Sequence, residues 1–129
     1  MHARKEQLKS LSVLKKRSDF LTIQKHGKKW VSHGLILQVR ENDLGVIRVG
    51  YTVTKKIDKR AARRNRIKRR LRSVVADVLC DSAKGGVDYI LVGRVKTATR
   101  PYETLCNDLQ WCLKKTGFYQ EGLEKEEAK

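Results

Sequence analysis

With 129 residues, 40% of them hydrophobic, the chain can bury one ordinary core but not two. Its 30 lysines and arginines against 14 acids give a formal net charge of +16, beyond what solubility requires, and favour a polyanionic partner, with nucleic acid ahead of an anionic membrane surface. There is no run of about 18 apolar residues to span a bilayer and no apolar segment in the opening MHARKEQLKS, so the expected location is the cytoplasm, with no membrane partner.

Residues 1–13 read as a basic, flexible N-terminus. SDFLTIQKHG then predicts a short helix, with Ser18 as its cap, an apolar side from Phe20, Leu21 and Ile23, and Gly27 at its end. WVSHGLILQVR and LGVIRVGYTVT alternate like strands on either side of the turn-like ENDLG. In the second stretch Ile47, Val49, Tyr51 and Val53 share a core face, while Arg48, Gly50, Thr52 and Thr54 share a polar face left open at Gly50.

From about Lys59 to Leu79 the period turns helical, with Ile67, Leu71, Val74, Val75 and Val78 on one stripe and Asp58 placed to cap it. VDYILVG, residues 87–93, is a nearly unbroken apolar run suited to a central strand. Pro101 suits the first turn of a last helix whose stripe is Leu105, Leu109, Cys112 and Leu113, closed by Gly117. The order α-β-β-β-α-β-α implies one α+β sandwich domain over residues 14–117, an about four-stranded sheet with helices packed on it, followed by a charged and disordered tail from 118 to 129.

Cys80, Cys106 and Cys112 are odd in number and lack CxxC spacing, which argues against a disulfide framework or a zinc site and for small buried hydrophobes. His2, His26 and His33 fall into no ligand spacing, and no phosphate loop or nucleophile set is present. No catalytic side chain, bound cofactor or protein-held metal is therefore expected.

The basic run itself breaks a local rule. RRNRIKRRLR, residues 63–72, carries seven basic residues, and between Lys55 and Arg72 there are 11 against the single acid Asp58. Like charges four apart, such as Lys68 and Arg72, repel, and the positive end of the helix dipole falls where Lys59, Arg60, Arg63 and Arg64 crowd. A phosphate backbone along the helix relieves both conflicts and releases counterions. Arginine forks suit phosphate oxygens and base edges, and Asn65 can donate and accept at once. On the helical wheel Arg64, Asn65, Lys68, Arg69 and Arg72 form one flank, and Arg66 with Arg70 the other. The sheet and the lack of a neighbouring short helix speak against a DNA-reading helix-turn-helix, and RNA is preferred over DNA.

These residues carry a resemblance. TVTKK, Thr52 to Lys56, followed by RNRIKRRLR, Arg64 to Arg72, resembles the signature of the bacterial ribonuclease P protein subunit, and RVGYTV, SDF at 18–20, HG at 26–27 and VDYILVGR at 87–94 fall in that family's order. The resemblance implies an α+β fold with a left-handed βαβ crossover, and an accessory role in an RNA-based endoribonuclease that removes the 5′ leader of precursor tRNA with Mg2+. It assigns Arg64, Asn65, Lys68, Arg69 and Arg72, with Arg60 and Arg66 beside them, to the catalytic ribonuclease P RNA. It points to Phe20, Gln38, Arg48 and Thr52, continued by Lys55 and Lys56, as the surface for the precursor tRNA leader, with Phe20 stacking on an unpaired base. Gln24 and Gln38 stand where family members often carry aromatic rings, and Asp58 where many carry glycine. The alternative from another class is a structural RNA-binding protein of the ribosome. A protein-only nuclease would need clustered carboxylates, and the acids here are scattered or in the tail.

Overall fold

A computed structural model describes residues 12–79 and 83–119. Residues 1–11, residues 80–82 with Cys80 among them, and residues 120–129 lie outside the described residues, and with them most of the N-terminal segment and of the tail.

The elements follow in the order β1 (Ser12–Val13), α1 (Arg17–His26), β2 (Lys28–Val31), β3 (Leu35–Glu41), β4 (Arg48–Thr52), α2 (Ala61–Val74) running into a π-helical turn (Val75–Leu79), β5 (Val87–Gly93), a 3-10 turn (Val95–Ala98) and α3 (Tyr102–Thr116). The sheet has five strands in the order β1-β4-β5-β3-β2, one more than expected. The additional strand is the two-residue β1, parallel to β4 with Ser12 opposite Arg48. A two-residue edge strand has too few residues to show alternation, which is why the sequence conceals it.

The apolar run of β5 is central, paired parallel to β4 and antiparallel to β3. Strand alternation then divides the side chains between two faces. On one face Leu37, Val39, Val49, Tyr89 and Leu91 meet Ile67, Leu71 and Val74 of α2 and Leu105, Leu109 and Leu113 of α3, forming the main core. On the other, Leu14, Ile23 and Ile90 make a small second cluster under α1, with Phe20 and Val92 packed against it. The sheet thus carries α1 on one side and α2 with α3 on the other.

Several local expectations change. Ser18 lies inside α1, whose cap position is Lys16 with no side-chain cap bond, because the chain already turns helical at Arg17. Asp58 precedes the cap position of α2, which is Arg60; its Oδ1 accepts the Arg60 N–H at 2.9 Å, ordering the turn before the helix. Pro101 is the cap residue of α3 and not its first helical residue. Phe118 and Tyr119, grouped by sequence with the tail, belong to the domain: Phe118 is buried and Tyr119 bridges to Ala83. Gly117, at φ 86°, makes the left-handed turn that carries Phe118 back to the core.

Candidate nucleic-acid interface

Helix α2 forms because Ile67, Leu71 and Val74 give it one buried stripe, each no more than 1% exposed, while its other sides carry charge. Its first turn contains no acid. Asp58, just before it, lies 3.9 Å from Arg60 Nε and 3.7 Å from Arg63 Nη1. Arg64 turns back, its Nη1 donating to the carbonyls of Asp58 at 3.0 Å and Lys59 at 2.9 Å. Arg72 sits 5.6 Å from the Tyr51 ring centroid, a cation–π contact. Asn65, Arg66 and Arg69 are exposed and Lys68 is half-buried, leaving a row of donors toward solvent.

The two flanks of the wheel do not behave as two surfaces. Arg70 is held by the chain: its guanidinium donates to the carbonyls of Ala98 at 2.8 Å and Arg100. Arg66, Arg69 and Arg70 line one shallow hollow with Ser73 and Tyr102 of α3, so Arg69 is shared between the flanks. The Tyr102 hydroxyl donates to Asp77, and burial followed by that bond pushes its ionisation above the ordinary tyrosine range.

On the opposite face, α1 and the sheet enclose a cleft lined by Phe20, Gln24, Gln38, Thr52, Thr54 and Val92, with Arg17 and Leu21 at its rim. Phe20 is half-buried. Its ring roofs Gly50, where a Cβ would lie 2.6 Å from Phe20 Cζ, so the place expected to be open is filled by an aromatic ring. Arg48 does not line this cleft. Its Nε and Nη2 donate to Asp88 at 2.7 and 2.6 Å, and its Nη1 lies 3.7 Å from Asp19. The bonds to Asp88 raise the arginine's pKa further, against the opposing effect of burial. Lys55 and Lys56 are exposed on the segment that leaves β4 beyond Thr54.

Residues 8–117 match the family model for ribonuclease P. The chain belongs to the ribonuclease P protein family. It is 44% identical over 115 residues to the ribonuclease P protein component of Paramagnetospirillum magneticum, covering 85% of this chain and 86% of that one. The corresponding protein of Ruegeria pomeroyi is 43% identical over 109 residues, covering 81% and 86%. Among solved structures, the Staphylococcus aureus RNase P protein superposes with a TM-score of 0.70 at 26% identity, over 84% of this chain and 97% of that one. The Thermotoga maritima protein gives 0.64 at 26%, over 81% and 94%.

A ribonuclease P protein component is part of an RNA-based endoribonuclease, with ribonuclease P RNA as its partner, and none of the similarities favours the ribosomal alternative. No group of three or more metal-ligating side chains exists among the described residues. Asp88 and Asp108 are engaged by Arg48 and Arg100, and Asp58 by the turn before α2. No helix among the described residues is long and apolar enough to cross a membrane. Arg17, Leu21, Thr54 and Val92 line the cleft without having been assigned to the leader surface from the sequence. Thr54 continues the period-2 face of Thr52 and signals itself, whereas Arg17 and Val92 arrive through the packing of α1 on β5.

Proposed function

We propose that this chain binds ribonuclease P RNA through α2 and the 5′ leader of precursor tRNA through the cleft under α1, assisting endonucleolytic removal of the leader to give the mature 5′ end. The observation that carries this reading is the placement of the two surfaces on opposite faces of one sheet. Exposed donors of α2 lie on the side of the main core, and the Phe20 cleft lies on the other. Lys55 and Lys56 connect them along the chain, between Thr54 of the cleft and the turn before α2.

The division of roles follows from chemistry. Arg60, Asn65, Arg66, Lys68 and Arg69 present donors to phosphate, while Arg64 and Arg72 are partly spent on backbone carbonyls and the Tyr51 ring. In the cleft, the half-buried Phe20 offers the exposed part of its ring for stacking, and Gln38 and Thr52 offer hydrogen bonds to sugar or base. Arg48, clamped by Asp88, acts there by holding the β4 and β5 strands and α1 in place. The catalytic groups and the Mg2+ of the holoenzyme belong to the RNA in this reading, and the chain supplies positioning and charge neutralisation.

The test is leader removal from precursor tRNA by ribonuclease P RNA at low Mg2+, with and without the protein. Stimulation is expected, and none at saturating protein would refute the reading. Phe20→Ala should weaken binding of leader-bearing precursor by about 1–3 kcal/mol and leave mature tRNA unaffected; an equal loss for both would remove Phe20 from the leader site.

A further inference from the structure

The two tryptophans of the chain, Trp30 and Trp111, stand together at the outer edge of the sheet, far in sequence from the basic helix. Trp30 is on the edge strand β2 and Trp111 on α3, their centroids 5.6 Å apart in an edge-to-face arrangement. They remain 37% and 44% exposed, and the neighbouring Val31 46%, an unusual concentration of apolar surface on so charged a molecule. Lys115 lies 5.8 Å from the Trp111 ring.

Beside the tryptophans runs a cavity of about 550 Å³ lined by Val31, His33, Arg94, Asn107 and Trp111 among others. A second cavity of about 280 Å³ shares His33 and Arg94 with it and continues to Val95, Lys96 and Ile57. Ile57 directly follows Lys56, so the two cavities lead from Trp111, the member of the pair that lines them, to the basic turn before α2. The acid in the groove, Asp108, is neutralised by Arg100, whose Nε and Nη2 donate to it at 2.5 and 3.1 Å.

We propose that this groove holds an unpaired segment of ribonuclease P RNA, with a base stacked on the exposed Trp111 where it meets Trp30, and the backbone running past His33, Lys96 and Arg94, whose Nη1 donates to the Ser32 carbonyl and fixes the side chain in the groove wall. The inference rests on the reading of α2 as the ribonuclease P RNA surface, which the groove extends. Aromatic rings interleaved with cations are what single-stranded RNA needs, because each base has a face to stack and each phosphate a charge to neutralise. Asn107 adds a side chain that donates and accepts, suited to a base edge. A second copy of the chain is the rival occupant of an edge strand, and its charge of +16 opposes that pairing.

Because the chain has only these two tryptophans, its tryptophan fluorescence, excited at the red edge of the absorption band where the four tyrosines hardly absorb, reports this site alone. The full chain is titrated with ribonuclease P RNA, with saturation followed independently by filter binding. Emission is expected to fall about two-fold and acrylamide access to drop as the RNA saturates, while heparin, a polyanion without bases, changes neither. Trp111→Ala should weaken RNA binding about ten-fold, and Trp111→Phe should restore most of it. A saturated, active complex with unchanged emission, or an equal quench by heparin, overturns the site and leaves the reading of α2 standing. Failure of the RNA to bind overturns both. A protein-only blue shift that tracks dimer formation in sedimentation gives the face to a second copy and also overturns the proposal.

Discussion

Arg66 and Arg70 are one turn apart on α2 and equal in sequence terms, yet they do different things. Arg70 satisfies the carbonyls of Ala98 and Arg100, whereas Arg66 has no bonded partner among the described residues. Arg70→Ala should therefore cost about 1–3 kcal/mol in urea unfolding by leaving two carbonyls short of a donor, and Arg66→Ala less than about 0.5 kcal/mol. The same pair should reverse in RNA binding, where Arg66→Ala lowers the salt slope by up to about 0.9. An equal stability cost for both would refute the distinction. Cys112 gives a test of another kind. It is wholly buried in α3, and burial pushes its thiol from 9.0 up to about 11. Above pH 9 the unfolded chain releases this proton while the folded chain keeps it, so stability is full below about 9 and declines toward 11. Replacing Cys112 by alanine should flatten that part of the pH–stability curve, and an unchanged slope would exclude the thiol as its source.

Helix α1 shows how an element is placed by a neighbour that has no side chain. Only Ile23 of its residues is fully buried, so its seat depends on Phe20 closing over Gly50 and on Leu14 beside it. Gly50→Ala would put a Cβ 2.6 Å from Phe20 Cζ and 2.9 Å from Cε1. The ring must move, which should cost about 1–3 kcal/mol and reshape the leader cleft. In a Phe20→Ala background the same change should cost clearly less, a coupling that thermal unfolding of the four-member cycle would detect. Additive costs would mean that Phe20 is not the obstacle. The alternation of β4 was legible because Ile47, Val49, Tyr51 and Val53 repeat every second residue, and each does pack on the main core. What fills the space above Gly50 was not, because Phe20 reaches it from thirty positions away in the chain.

At the scale of the molecule, +16 on 129 residues is a standing self-repulsion, with a surplus of ten between Lys55 and Arg72 alone. The ion pairs that offset it are local, Arg48 with Asp88 and Arg100 with Asp108 among them, and leave α2 largely uncompensated. Added salt should therefore stabilise the free protein, raising Tm between about 0.05 and 0.5 M as screening shortens the reach of the repulsion. A flat or falling Tm would show that the basic surface does not strain the free fold. Ribonuclease P RNA should stabilise the chain by the same relief together with mass action.

Periodicity and charge, both local properties, determined the order of the main elements, the core stripes of α2 and α3 and the central place of β5, while the family showed in the resemblance of its signature residues. Each is written in residues a few positions apart, and the basic signature at 64–72 is contiguous. Tertiary structure alone decided which basic residues face a partner. Arg48, Arg64 and Arg70 look as free in sequence as Arg66 or Arg69, and lose that freedom to Asp88, to two carbonyls of the preceding turn and to carbonyls nearly thirty residues away. The meeting of Trp30 with Trp111 is equally invisible until α3 packs against the edge strand, because a contact across eighty residues leaves no period in the chain to read.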